Sequence, residues 1–458
     1  MKNEPIMRRS LILLAILLSY VPLYAQEESF SLKQAVDYAI KNNLNVKNAQ
    51  LDAVSAEARI GETRAAGLPQ VNANVNLTDN LIIQRFFLPP GEFGGPGVPA
   101  NAEPVAIEFG VRYLGTASAT LNQLIFNGSY FIGLKAAATY RELASKSVTS
   151  SKVSVAEAVS KAYYSAQVAE ERAKLLDLNI GRVDSLIAET KVMNESGFVE
   201  LLDVNRLEVQ ANNLQTERQK VQNLIELSYA LLKFQMGMPA GESIRLTDDI
   251  NAVNIDSLKS SFPGTELNYS NRIEFSLLDT QEKLAGLDIR NVRAGYLPSV
   301  SFNASYGHNN GKSTLGDLFT TRWFNNALIA LNVNIPIFDG FTKKYQLDQK
   351  KIALDKIKNN QTLLKQSIDL ETNQATINIK NAFATLETQQ RNLRLAEEIV
   401  RVSKIKYKEG VGSNIEVINA ESSLKEAQTN YFTALYDLMI AKVDLSRAKG
   451  ELYSEAGN

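Results

Sequence analysis

Two carboxylates, Asp203 and Glu416, stand in matching surroundings. Each follows a short glycine turn. NESGFVELLDV (194–204) and KEGVGSNIEV (408–417) align Gly197 on Gly410, Leu202 on Ile415, Asp203 on Glu416 and Val204 on Val417, and then Glu208 on Glu421. A carboxylate in the first turn of a helix is stabilised by the positive end of the helix dipole. By residue type alone, these two serve a helix start. Little else offers chemistry. The chain has no cysteine, which excludes disulfides, thiolate metal sites and thiol nucleophiles. His308 is the single histidine, in the strand-end turn SYGHNNGKS, so a multi-histidine metal site is excluded and a Ser–His–Asp arrangement would depend on this one residue. No phosphate-binding loop or cofactor motif occurs. The expectation is no cofactor, no metal and no enzyme. With 49 basic and 50 acidic side chains, a net charge of −1 and no basic patch interleaved with aromatics, nucleic acid is not an expected partner.

The turns must be positioned by very long helices. No proline occurs between Pro104 and Pro239, and neither Gly nor Pro between Gly340 and Gly410. A helix of roughly 65 residues would reach about 100 Å. Val159, Ala166, Ala173, Ile180 and Ile187 recur every seven residues, with Ala162, Ala169, Leu176 and Val183 offset by three. Ile379, Leu386, Leu393, Val400 and Tyr407 form a second series. Val417, Leu424, Tyr431, Leu438 and Leu445 form a third, beside a row of alanines from Ala420 to Ala448. A strict seven-residue repeat calls for coiled-coil packing, and the alanines permit close helix approach. Tyr407 sits on a heptad position, where core packing is its plain role. Gly197, Gly410 and Gly412 serve the turn backbone.

Each long helix is preceded by alternating strands. RAAGLPQVNANVN (64–76) returns as RAGYLPSVSFNAS (293–305), at an offset of half the 458-residue chain. VNANVNLT (71–78) and VSFNASYG (300–307) alternate apolar with Asn, Ser and Thr, the period of a strand. ASATLNQLIF (117–126) and ALIALNVNIPIF (327–338) supply the second strand of each pair and run into IFNG and IFDG. A soluble sandwich would also alternate. Small uncharged polar faces suit a wet lumen, however. Phe86, Phe87, Phe109, Tyr113, Phe126, Phe319, Trp323, Phe324 and Phe338 crowd the strand ends, as aromatic girdles do in transmembrane barrels.

At the N-terminus, Arg8 and Arg9 precede the apolar run LILLAILLSYVPL, and Ala25 precedes polar residues. This is the pattern of a signal peptide, expected over residues 1–25. The run is shorter than the ~20 residues of a membrane-spanning helix. No cysteine is present to carry a lipid, and no later segment is apolar enough to cross a bilayer as a helix. Contact with a membrane would have to be made by strands.

Together these features resemble the TolC-like outer-membrane efflux family across essentially the whole chain after the signal segment. The residues that carry the resemblance are the two LP-x-V strand entries (68–71, 297–300), the IF-[ND]-G exits, and Y-x-x-G followed by an acidic residue and Val at 407–417. The resemblance implies a mixed α and β membrane protein. It would be a homotrimer with a 12-stranded transmembrane β-barrel in outer-membrane lipid, continued by a 12-helix periplasmic α-barrel, with two structural repeats per chain. Its place would be the outer membrane of a Gram-negative bacterium, extending into the periplasm. It would be a passive exit duct for efflux or type I secretion, docked to a periplasmic adaptor (membrane fusion) protein and an inner-membrane pump.

The first repeat is expected over 26–237, with strands at about 70–87 and 109–126 and a helical turn at about 195–201. A linker follows over 238–268. The second repeat covers 269–458, with strands at about 298–308 and 323–338 and a turn at about 409–414. The resemblance further implies a pore constriction at Asp203, Glu416 and Asn419, a latch at Tyr407, and adaptor docking at Gly197, Phe198, Gly410, Val411 and Gly412. Two positions depart from the family pattern. Gly412 stands where a close relative has a latch arginine, and Asn419 where it has a second constriction carboxylate. The rival from another class is a secreted structural coiled-coil protein without a pore.

Overall fold

The computed structural model of the chain describes residues 28–88, 103–250, 259 and 268–453. The expected signal segment lies outside these residues, as do most of the Gly/Pro-rich loop and much of the linker. In chain order the first elements are β1 (Glu28–Phe30), α1 (Leu32–Asn42), α2 (Leu44–Ala65), β2 (Gln70–Asp79), β3 (Arg85–Leu88), β4 (Val105–Glu108), β5 (Tyr113–Phe126), α3 (Gly128–Glu195), α4 (Leu201–Met236) and β6 (Ile244–Leu246). Then come α5 (Ile273–Ala294), β7 (Ser299–Lys312), α6 (Leu315–Thr320), β8 (Phe324–Asn334), α7 (Thr342–Lys408) and α8 (Asn414–Lys449). Two compact units result. Of the described residues, one holds those within Met1–Asp52, Ser145–Leu277 and Gln361–Asn458, and the other those within Ala53–Ala144 and Leu278–Asn360.

The first unit is mainly helical, and many of its buried residues occupy heptad positions. Val159, Ala162, Ala166, Ala169, Leu176 and Val183 are buried on α3, as are Ile379, Leu386, Val400 and Tyr407 on α7. On α8 the alanine row from Ala420 to Ala448 is buried beside Val417, Leu424, Leu438 and Leu445. α3 packs on α4 through Leu176, Val183, Ala211, Leu214 and Val221, and α7 on α8 through Ala396, Val400, Ala420, Leu424 and Ala427. Both long helices end alike. The turn glycine adopts a left-handed conformation (φ 77° at Gly197, 75° at Gly410). The next amide then reaches back to close the helix: Phe198 N donates to Met193 O at 2.9 Å and Val411 N to Lys406 O at 3.0 Å.

The amphipathic pattern from Ser31 to Gly67 predicts one helix, but the structure breaks it at Asn43. That side chain is buried. It donates to Gln235 O at 2.7 Å and accepts from Asn45 N at 2.8 Å, so a distant partner and a local cap together stop α1. The start of the expected linker is structured as well. β6 pairs in parallel with β1, Glu28 opposite Ile244 and Phe30 opposite Leu246. Leu32 N donates to Asp248 Oδ2 at 2.7 Å, and the buried Tyr163 hydroxyl donates to Phe30 O at 3.0 Å.

The second unit is built on an antiparallel sheet of order β2-β5-β7-β8. Directly opposed residues share a face, and the register lines up four separate alternations. Val71, Ala73 and Val75 stand opposite Leu121, Ala119 and Ala117, and Leu121 and Ala119 in turn face Ala304 and Tyr306. Ala304, Phe302 and Val300 then meet Ile329, Leu331 and Val333. The other face carries Asn72, Asn74, Ser118, Thr120, Asn303, Ser305 and Asn332. Val71, Val75, Ile329, Leu331 and Val333 are exposed, and among the described residues β2 and β8 each present an unpaired edge.

Strand bounds differ from the sequence reading in four places. The strand expected from about 109 starts at Tyr113. β2 stops at Asp79, and residues 85–88 form a separate two-stranded ribbon with β4. β7 runs on to Lys312. β8 ends at Asn334, because Pro336 has no amide to give the ladder.

Candidate functional site

The two glycine turns are followed by helices whose first turns carry the predicted carboxylates: Asp203 on α4 and Glu416 on α8. The two starts are capped differently. Ser413 caps α8, its hydroxyl accepting from Glu416 N at 3.4 Å, whereas Glu200 caps α4 without a side-chain bond. Asp203 is half-buried and takes Arg206, one turn on, at 3.4 Å. Glu416 and Asn419 are exposed, and among the described residues Glu416 makes no ion pair. Both carboxylates are therefore well placed at a helix N-terminus, and Glu416 keeps its charge free for solvent.

The structure joins the two turns through a residue that the motif comparison passed over. Asn414, buried at the first position of α8, donates through Nδ2 to the backbone carbonyl of Asp203 at 2.9 Å. Just behind it, Leu186, Leu207, Tyr407 and Val417 form one apolar cluster with a member from each of α3, α4, α7 and α8. Tyr407 is thus a core residue, and its hydroxyl also lies 3.4 Å from that of the buried Thr190 on α3. Thr190 continues the series Ala162, Ala169, Leu176 and Val183 by one more heptad, so its burial is legible in the sequence but its partner is not.

Gly412 has a steric reason. Its amide donates to Lys406 O at 3.0 Å, and a Cβ there would sit 2.8 Å from Lys406 Cβ and 3.1 Å from the Tyr407 amide nitrogen. The turn closes on its own helix end and leaves no room for an arginine. Gly197 and Gly410 are different, with open space around them. Beside them Phe198 and Val411 each present an apolar side chain outward, both about four-fifths exposed (80 % and 79 %). His308 is far in sequence from these turns. It lies on β7 opposite Ala117, in edge contact with Tyr306. Among the described residues no group of three His, Asp or Glu is placed to hold a metal ion, and no helix is long and apolar enough to cross a membrane.

Residues 273–451 match the family described as outer membrane efflux protein. The probable efflux pump outer membrane protein TtgC of Pseudomonas putida is 23 % identical over 92 % of this chain and 83 % of its own length. The outer membrane protein TolC of Vibrio cholerae is 19 % identical over 90 % of each chain. Among solved structures, the CmeC outer membrane channel of Campylobacter jejuni superposes with a TM-score of 0.70 at 16 % identity, covering 93 % of this chain and 87 % of that one. The likeness establishes the fold, a mixed helical and β architecture.

Proposed function

Because this chain belongs to the outer membrane efflux protein family, we propose that it is the passive exit duct of a tripartite efflux or type I secretion system. It is an outer-membrane protein of a family of channels, not of enzymes. That family leaves no place for the rival reading of a coiled-coil protein without a pore.

The observation that carries the duct is the sheet. Its four strands share one exposed apolar face and one face of Asn, Ser and Thr, and both of its edges are open. Four strands are too few to close a membrane barrel, for which eight is the practical minimum. Three copies supply twelve, with the apolar face to lipid and the polar face to water. Two copies would also close, and the choice of three follows the family. Exposed apolar residues on the helices support assembly. Leu224, Leu227, Leu231 and Phe234 line α4 at coiled-coil spacing, and Leu363, Leu370 and Ile377 recur every seventh residue on α7. Stripes of this kind belong between packed helices, here those of neighbouring copies in a periplasmic α-barrel. Two repeats per chain account for paired strands and paired helical hairpins.

Asp203, Glu416 and Asn419 would line the constriction at the helical turns, with Tyr407 in the latch. Phe198 and Val411 at the turn tips offer apolar anchors to a periplasmic adaptor, through which an inner-membrane pump supplies the energy. The neutral Asn and Ser lining argues for a conduit without a specific cargo site.

Protein purified in detergent is expected to run as a trimer in SDS until heated and to conduct ions in planar bilayers. A monomer that stays soluble without detergent and does not conduct would refute the duct. In the same bilayers, replacing Asp203 and Glu416 with alanine is expected to move the reversal potential under a salt gradient toward zero, as cation preference is lost. Unchanged selectivity would remove both residues from the pore lining.

A further inference from the structure

A charged joint between the two helical hairpins lies just behind the turns, at Glu421. Its side chain is only 4 % exposed, yet it carries a carboxylate. Lys404 of α7 approaches it at 2.8 Å and Arg182 of α3 at 3.3 Å. Arg182 also donates to Asn179, whose Nδ2 donates to the buried Gln428 Oε1 of α8 at 2.8 Å. The Arg182 Nε is buried without an acceptor. The Arg182 side chain keeps about a third of its surface exposed (33 %), and among the described residues its ion-pair partner is this one carboxylate on the other hairpin.

The first hairpin supplies an internal comparison. The alignment that sets Gly197 on Gly410 sets Lys191 on Lys404 and Glu208 on Glu421. Lys191 and Glu208 also pair at 2.8 Å, but their side chains are 52 % and 46 % exposed. An exposed pair of this kind contributes little. The same pair in the second hairpin gains a third charge because Arg182 docks on it, and its carboxylate is buried while Lys404 (25 %) and Arg182 (33 %) keep part of their surface in solvent. Breaking a buried pair leaves an uncompensated charge and is strongly unfavourable. The contact between Tyr407 and Thr190 is neutral and, at 3.4 Å, long for a hydroxyl pair.

We propose that Glu421, clamped between Lys404 and Arg182, is the pin that holds the two helical hairpins of one chain together, and that the tyrosine contact adds little to it. The proposal deepens the reading of the turns as the moving end of a duct and rests on it. Hairpins that part at this level must expose the cluster.

The chain lacks cysteine, so Thr190→Cys in the full-length protein places a single thiol at a fully buried position between the hairpins. It also removes the tyrosine contact, so every variant is compared in a parent that already lacks it. Labelling by a water-soluble maleimide then reports separation of the hairpins. Added to this parent, Arg182→Gln or Glu421→Gln is expected to raise the labelling rate about tenfold or more. The double variant should be no faster than the faster single one, since both remove the same contact. Lys191→Gln, which breaks the exposed counterpart, should leave the rate unchanged. Arg182→Lys keeps the charge and should stay near the parent rate. If Arg182→Gln loses its helical circular dichroism, Arg182→Lys and Glu421→Gln carry the comparison. Unchanged rates in the Arg182→Gln and Glu421→Gln variants, or an equal rise with Lys191→Gln, would overturn the pin. A parent that does not conduct, but whose variants label as expected, would sink the channel reading and leave the pin standing. A conducting parent whose variants label like it would sink the pin alone.

Discussion

Valine at Gly450 or at Gly237 is expected to prevent the helical unit from folding stably, whereas valine at Gly410 should only weaken it. All three glycines end a helix in a left-handed conformation, with φ of 75°, 71° and 75°. The backbone cost of a side chain there is thus common to the three, about 1–2 kcal/mol. Their surroundings differ. A Cβ on Gly450 would lie 2.5 Å from Asn271 O and 2.7 Å from its carbonyl carbon. On Gly237 it would lie 2.8 Å from Asn42 O and 2.9 Å from the Asn43 Cα. These are backbone atoms of neighbouring segments and cannot rotate away. Overpacking adds about 1–3 kcal/mol or more, for a total of roughly 3 kcal/mol or above. Around Gly410 there is open space. Thermal melting followed by helical circular dichroism separates the cases. Equal melting of the valine variants at 450 and 410 would mean that close approach to Asn271 does not matter.

Arg272→Ala should also be destabilising, by about 2–3 kcal/mol, because it removes a buried guanidinium that bonds a buried carbonyl and two acids that remain about one-third exposed. The Arg272 side chain is 5 % exposed. It reaches Glu274 at 3.1 Å, Glu371 at 3.0 Å and the carbonyl of Ala448 at 3.0 Å, tying the start of α5 to α7 and to the end of α8. Burial pushes the Glu274 carboxyl up, but hydrogen bonding and charge from Arg272 outweigh it and hold the group below its ordinary value. The sign follows directly. A carboxylate with a depressed pKa in the folded state stabilises the fold above its unfolded value, about 4.3, and that contribution is lost as pH falls through the folded value. The parent should therefore lose melting temperature below about pH 4. Without Arg272 the burial, which favours the protonated acid, is opposed only by a backbone hydrogen bond and the charge of Arg447. Acidification from neutral pH toward the unfolded value should therefore narrow the gap between variant and parent. A gap that widens on acidification would mean that Glu274 is not the group Arg272 holds.

What the sequence disclosed is what repeats with a period. Heptads placed Val159, Leu386 and the alanines of α8 in the core, because a helix in a coiled coil meets its partner every seventh residue. Alternation placed Val71 and Ile329 on one face, because the strand period is two. The glycine turns announced themselves by residue type, and so did the positions of Asp203 and Glu416 beyond them. Contacts set by docking left no such trace. Glu421 lies beside the apolar seam of α8 and reads as a solvated charge until α3 covers it. Asn43 reads as one more polar residue on a helix until Gln235 claims it. Arg272, at the edge of a polar linker, gives no hint of burial. Pro336 was a legible stop for β8, and the apolar residues around it masked the signal.

The pairing of β1 with β6 has a consequence in time. Leu32 and Asp248 are 216 residues apart in the chain. A polypeptide that emerges N-terminus first delivers β1 long before its partner exists. Contacts of such sequence separation form slowly, since a long loop must close before they give any return. Until then the first strand is an open edge, with backbone groups ready to pair with another chain. The fold thus completes this sheet only after the chain through β6 has been delivered.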